Sequence, residues 1–488
     1  MARRGAVVIG GGLGGLAAAL RLAARGWQVV LCEQDVRVGG KMNLWTRNGF
    51  RFDTGPSLIT MPWIFQDLFA DVGSRLEDHV ELVPVRPLGR YVFADGTAFD
   101  YSPALPDWLA TLRRLAPRDA DNFFAYMRLG ARLYELSRAT FLRRPIGAPP
   151  DKEALGALLR APVRHAWGNY HQSVAAHFSD PRLQQLFDRY PTFVGSSPYR
   201  CPATLSLIPF IEYAFGGWHV RGGLYRIVES LAALARERGV ELRTQARVAA
   251  IEHHARRVTG VRLSDGSFVP ARAVVMNGDV SMTCGMLGER ERPWPPEERS
   301  LSGLVLLIGV RRRLPSLHHH NVFFSADYQK EFDQLFVERR LPDDPTVYIS
   351  MPGKTDPSGA PHDGETLFVM ANAPADDTGW KETDITEARR RIFARLQQSG
   401  FPDIHDDIVA ETAITPRSMA ERFGAPGGAI YGAHSHGWRR AFLRPPNKDP
   451  RYKGLYYAGG SAHPGGGTPI VLLSARIAVE LVQQHESR

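Results

Sequence analysis

From Ala6 to Ile9 the chain is unbroken apolar sequence with β-branched side chains, the pattern of a buried parallel strand, and it runs straight into Gly10, Gly12 and Gly15. Leu16 to Arg25 then repeats Ala and Leu at helical spacing, and Gln28 to Cys32 returns to a strand that ends at Glu33. Strand, G-x-G-x-x-G, helix, strand and terminal acid in that order predict half of a Rossmann-type dinucleotide fold. The first glycine permits the tight turn, the second lets backbone approach a pyrophosphate, the third lets helix and strand pack closely, and the acid takes ribose hydroxyls. The helix dipole adds its positive end at the phosphates.

Two later blocks carry compatible patterns. Gly216 to Asp279 reads as a glycine-rich turn, a helix over Leu224 to Arg238 and three strand-like runs with a turn at Asp265-Gly266, an order that predicts a return to the parallel sheet. Gly454 to Val482 reads as strand, glycine turn and helix. The predicted fold class is α/β, with a Rossmann-type cofactor domain assembled from 1–85, 216–295 and 445–488. The remainder, 86–215 and 296–444, forms a substrate domain of mixed sheet and helix, in which 101–215 is mainly helical. Arg128 to Arg144, "RLGARLYELSRATFLRR", places Leu129, Leu133, Leu136 and Thr140 on one stripe among arginines. Such a stripe suits either a face packed on the core or one lying among lipid headgroups.

Composition changes this picture in three ways. At 488 residues with 44% hydrophobic and 23% charged positions, the chain is long enough and apolar enough for two or three folded domains. The net charge is +9, and Tyr101 to Val220 carries +5 of it, fourteen Arg and Lys against nine Asp and Glu. The basic residues are scattered and no nucleic-acid motif accompanies them, so an anionic lipid surface fits better than nucleic acid. Cys32, Cys201 and Cys284 are odd in number and in no metal-ligand spacing, and read as reduced residues on the cytoplasmic side. No run approaches ~18 continuous apolar residues, so membrane attachment is expected to be peripheral, without a spanning helix. His318 to His320 are consecutive and cannot all face one ion from a strand; no metal is expected.

The residues after Glu33 separate NAD from FAD. Arg37 to Ser57 supplies a second glycine pair, Gly39 and Gly40, a hairpin-like pattern, and then Phe52-Asp53-Thr54-Gly55-Pro56-Ser57. A plain NAD domain would proceed to another βα unit, whereas a second backbone-rich turn beside the first suits a flavin threaded past the pyrophosphate. No second G-x-G-x-x-G is present for a nicotinamide.

These segments in this order resemble the bacterial phytoene desaturase family of carotenoid enzymes, within the wider flavin amine oxidase-like group. The resemblance covers nearly the whole chain. It is carried beyond the flavin fingerprint by His318 to Phe336, Asp344 to Pro374, Thr415 to Gly432 and Ala441 to Ala478. Gly459-Gly460-Ser461 stands where many flavoproteins of this fold have Gly-Asp, a variant common to carotene desaturase-like sequences. The family's usual acid after Thr415-Pro416 is replaced by Arg417-Ser418, which leaves the substrate subtype open.

The resemblance implies FAD held by Gly10, Gly12, Leu13, Gly14, Gly15, Glu33, Gly39, Gly40, Lys41, Asp53, Gly55, Pro56, Ser57 and Val248, and by Gly459, Gly460, Gly466, Gly467, Thr468, Pro469 and Ile470 at the last turn. It implies desaturation of a carotenoid or related polyene, by hydride transfer to flavin N5 and loss of an adjacent proton, with oxygen or a membrane quinone as final acceptor. A terminal-methyl oxygenase and a redox-neutral polyene isomerase are the alternatives. Candidate catalytic residues are Glu212, as proton acceptor or an ordinary helix-end acid, and Arg221, which with His219 sits at the junction "GGWHVRGGLY". A cation there would stabilise reduced flavin, and Trp218 would be an apolar wall or simply core.

Overall fold

The computed structural model describes residues 4–161, 168–291, 293–378 and 380–486. A five-stranded parallel sheet takes its strands from three stretches of chain. Its order in space is Leu455–Tyr457, Ala273–Met276, Gly5–Ile9, Gln28–Cys32 and Glu241–Arg243. Val7 and Val8 of the central strand are fully buried on opposite faces, which is why that strand is unbroken apolar sequence rather than alternating. The helix Leu13–Ala24 follows the first glycine turn and packs against the closing helix Thr468–Glu486 and the helix Tyr225–Glu237.

One expectation is corrected here. Val248–His254, Arg257–Leu263 and Phe268–Pro270 do not enter the parallel sheet but form an antiparallel sheet of their own. Only the short strands on either side of them, 241–243 and 273–276, join the large sheet. Alternating apolar and polar positions suit a sheet with one wet face, whereas a doubly covered parallel strand needs apolar residues throughout.

A second, seven-stranded sheet runs Ile408–Ile414, Ser302–Val310, Glu365–Ala373, Val347–Ser350, His320–Phe323, Gly89–Val92 and Ala98–Tyr101. Helices at Leu105–Leu115, Ala120–Ser137, Lys152–Leu159, Pro181–Asp188 and Leu207–Phe215 gather beside it. Leu129 and Leu133 are buried, and a Cβ on Gly130 would stand 2.5 Å from Cβ of Phe210, so this face meets the helix 207–215. Leu136 is half-buried, and Thr140 lies in the π turn after the helix, its hydroxyl donating to the Leu136 carbonyl at 2.7 Å. The stripe thus packs on protein, and of its two readings the lipid-facing one is overturned for Leu129 and Leu133.

Burial of neutral imidazoles ties stability to pH. His219, His434 and His463 are almost wholly buried, and desolvation pulls each down to about 4. His463 donates from Nε2 to the carbonyls of Phe141 (3.0 Å) and Arg144 (2.7 Å). The unfolded chain protonates these rings near pH 6.5, so between that value and about 4 it binds more protons than the folded chain. Stability is therefore lost as pH drops through the window, by up to about 1.4 kcal/mol per pH unit for each ring. Glu331, raised to about 7 by burial, acts in the opposite sense, as do Asp53, Asp188 and Glu212, which burial also raises, while His319, His320 and His436, lowered by burial, add to the three rings. Thermal unfolding at pH 5 is expected several degrees below that at pH 7.5; an equal or higher midpoint at pH 5 contradicts the assignment.

Candidate active site

Both sheets open onto one cavity of about 1390 Å³. A single small ligand occupies roughly 300–1,000 Å³, so this space suits two ligands end to end. One end is built from glycine turns. Gly10 has φ +95°, and a Cβ on Gly15 would stand 2.0 Å from the Gly10 carbonyl oxygen. The second turn docks on the first: the Gly39 amide donates to the Gly11 carbonyl at 2.8 Å, and a Cβ on Gly55 would stand 2.0 Å from the Lys41 carbonyl oxygen. The hairpin between them, Leu44–Arg47 with Phe50–Asp53, turns at Asn48 and Gly49, both with positive φ. Glu33 is buried and accepts from the amides of Gly11 (2.7 Å) and Asp35 (2.9 Å), which holds its carboxylate at the cavity edge.

At the last turn, Gly459 and Gly467 take φ of +123° and +111°, and the chain enters the helix Thr468–Glu486 from the cavity wall. Arg444, absent from the sequence reading, lies beneath this turn. Its guanidinium is buried and donates to the carbonyls of Tyr431 (3.2 Å), Gly460 (3.4 Å) and Ala433 (3.4 Å) and to Ser435 Oγ (3.1 Å). These acceptors are neutral. Desolvation lowers the group to about 10, with Asp279 acting on it only through the longer-range field. A buried cation without an ion-pair partner among the described residues, beside glycine turns that a Cβ would obstruct, fits a ligand carrying anionic groups, as FAD does in its diphosphate. Only its place inside "AFLRPPNKDP" hinted at this role.

The other end of the cavity is apolar. Phe193, Leu205, Ile208 and Ile211 line it from the helical side, and Val305, Phe368 and Met370 from the seven-stranded sheet. Polar side chains line it as well, among them Glu212, Arg189, His320 and Tyr348, with Thr192, Thr204 and Asn372. Sequence reasoning found Glu212 alone of these.

All of the candidate cofactor-binding and catalytic residues line the cavity except Gly15, Asp53 and Arg221. Gly15 serves the helix–strand packing already described. Asp53 instead caps a helix, accepting from the amides of Leu224 (2.9 Å) and Tyr225 (3.0 Å). Arg221 is a surface residue paired with Glu81 at 2.6 Å, so the cation expected there is not at the site. Its neighbours are also elsewhere: His219 packs on His319 with ring centroids 5.0 Å apart, and Trp218 donates to the Phe215 carbonyl at 3.0 Å in a short strand paired with 82–84. Among the described residues no group of three or more His, Cys, Asp or Glu is placed to hold a metal ion.

The family model for flavin-containing amine oxidoreductases matches residues 13–483. A 4,4'-diapolycopene oxygenase from a Methylomonas species is 35% identical over 478 residues, covering 96% of each chain. A 1-hydroxycarotenoid 3,4-desaturase from Flavobacterium sp. strain P99-3 is 35% identical over 486 residues, covering 98% of each. An oxidoreductase structure from Methanosarcina mazei superposes with a TM-score of 0.67 at 17% identity, covering 98% of this chain and all of that one, a likeness of fold alone.

Proposed function

Since the chain belongs to the flavin-containing amine oxidoreductases, and within them to the group of carotenoid desaturases and oxygenases, it is an FAD-dependent oxidoreductase, and we propose that it removes two hydrogens from a long-chain polyene. The observation that carries this reading is the continuity of the glycine-built end of the cavity with a long apolar end. The division into a cofactor domain (1–85, 216–295, 445–488) and a substrate domain is part of the proposal, supported by the three-part origin of the parallel sheet.

FAD, when bound, supplies the two-electron acceptor, which oxygen or a membrane quinone re-oxidises. The chain's own residues bind, orient and exclude water. The turns at 10–14, 39–41, 55–57 and 459–470 would hold the cofactor through backbone, with Glu33 on the ribose and Arg444 on the anionic side. Apolar side chains of the helices and the second sheet would hold the polyene and keep water from the developing positive charge. Expression in a host that makes acyclic carotenoids tests the reaction. The expected product is lighter by two hydrogens and absorbs further to the red. A product heavier by one oxygen gives the oxygenase reading instead, which the equally similar oxygenase relative favours.

No helix among the described residues is long and apolar enough to cross a membrane. We infer peripheral attachment, with the polyene entering from lipid. Support comes from Lys152–Leu159, where Leu155, Leu158 and Leu159 are exposed, the last at 89%, and from Trp438, exposed at 58%. The helix 152–159 and the short helix Gly437–Phe442, which carries Trp438, both meet the turn 138–142, where Phe141 packs on Phe442 and lines the cavity. Leu158→Glu with Leu159→Glu is expected to lower binding to anionic vesicles about tenfold or more, since charge replaces two apolar contacts. Unchanged sedimentation with vesicles places the membrane face elsewhere.

A further inference from the structure

Three imidazoles are buried in a row beside the cavity, each with a nitrogen left over. His320 and Tyr348 line the cavity wall, and His320 Nδ1 lies 2.7 Å from the Tyr348 hydroxyl, which lies 2.6 Å from Ser57 Oγ on the second glycine loop. The His320 ring packs on His319 with centroids 4.4 Å apart, and His319 packs on His219 at 5.0 Å. All three are at most 6% exposed, and His319 and His219 do not line the cavity. His319 Nδ1 lies 2.6 Å from Thr355 Oγ1. Nε2 of His320, Nε2 of His319 and Nδ1 of His219 are buried and have no hydrogen-bond partner among the described residues.

The far end of the row reaches a second cavity of about 20 Å³, whose polar lining is Arg51, Asp53, His219, Asp356 and Thr366. That is room for one water among several polar partners. Asp356 accepts there from the Gly222 amide at 2.6 Å and from the Ser358 hydroxyl at 2.9 Å, and Ser358 is exposed. Groups able to pass a proton therefore run from the cofactor loop to the surface. Phenylalanine would fill the same three places with no nitrogen to satisfy, and buried polar groups without partners are rare enough to call for a reason. Burial keeps the rings neutral, His320 down to about 3 and His219 to about 4, so none of them stores a proton.

We propose that Ser57, Tyr348, His320, His319 and His219 form a proton path between the cofactor end of the cavity and the surface at Asp356. The proposal rests on the polyene reading above and gives that reaction what a water-excluding cavity denies it, a way out for the proton. Of the two hydrogens removed, one leaves with both bonding electrons to FAD. The other leaves as a proton, and the electrons of its C–H bond form the new double bond. The hydroxyl pair of Ser57 and Tyr348 takes this proton and passes one on to His320 Nδ1. His320 gives up its Nε2 proton to His319 Nε2, which hands it to His219 Nδ1, and His219 releases its Nε2 proton to the small cavity. The rings touch without hydrogen-bonding, so a small turn of a ring completes each transfer, and one proton leaves for each that enters.

The test uses the FAD-loaded enzyme in detergent, anaerobic and weakly buffered, mixed rapidly with neurosporene or with an acyclic polyene of thirty carbons in the presence of a pH-indicator dye. Loss of flavin absorption reports the electrons and the dye reports the proton. In the wild type the proton is expected to appear in step with the loss of flavin absorption. Tyr348→Phe removes only the inner hydroxyl, and His219→Phe replaces the outer ring, which does not line the large cavity. In each variant the proton is expected to lag the flavin signal by at least about tenfold. A role in packing alone would slow both signals together and leave no lag, so the absence of a lag in both variants overturns the path. Unchanged flavin absorption with either polyene in the wild type overturns the polyene reading, and the path with it, and is thus told apart from failure of the path alone.

Discussion

Gly15→Val is expected to emerge from purification colourless and to unfold well below the wild type. The residue does not touch the cavity; its Cα faces the Gly10 carbonyl oxygen so closely that a Cβ would stand 2.0 Å from it, with the Gly10 carbonyl carbon and Asn277 Nδ2 both at 3.2 Å. Backbone cannot swing aside as a side chain can, so the helix Leu13–Ala24 must move off its strand. That helix is buried along most of its length against the closing helix and the central sheet. Displacing it breaks packing over several side chains, an effect of at least about 3–5 kcal/mol, while the amides of the first turn lose their aim. The ratio of flavin to protein absorbance and a thermal melt check both parts. Stoichiometric flavin and an unchanged melt in this variant would show that the turn is not where the cofactor is held.

Arg444→Met is the second large effect. The side chain is of similar length and apolar, so the loss is of hydrogen bonds and charge rather than of volume. Three backbone carbonyls, of Tyr431, Ala433 and Gly460, together with Ser435 Oγ, lose a common donor in a buried place. At about 1–3 kcal/mol for an orphaned buried acceptor, partly relieved by relaxation, several kcal/mol of local order at the last turn is expected to go. Flavin retention should fall at least tenfold in dialysis against FAD-free buffer. Arg444→Lys should restore little, because one ammonium cannot span acceptors on both sides of a planar fork. Full retention of FAD in both variants would reduce Arg444 to a surface-distant strut with no bearing on the cofactor.

The α/β class, the first turn and the cofactor were legible in the order of residues because each depends on neighbours in the chain. A buried parallel strand must be apolar throughout, a tight turn must be glycine, and both lie within the thirty residues that begin at Gly5. The same holds for the hairpin at Asn48-Gly49, whose positive φ values are a local demand. What chain order could not decide is which distant polar residue meets which. Asp53 reads as a cofactor ligand from its loop, yet it caps a helix that begins 172 residues later. Arg221 and Arg444 are both cations whose partners the sequence does not name; folding sends the first to Glu81 at the surface and the second beneath the last turn, 16 residues before Gly460. The wall of Arg189, Glu212 and His320 is assembled from a helix end, a second helix and a sheet strand, with no local pattern in common. Hydrophobic periodicity reports which face of an element is buried, as it did for Leu129 and Leu133, but not what covers it. Core and lipid both satisfy an apolar stripe, and only the packing of the helix 207–215 on Gly130 chose between them.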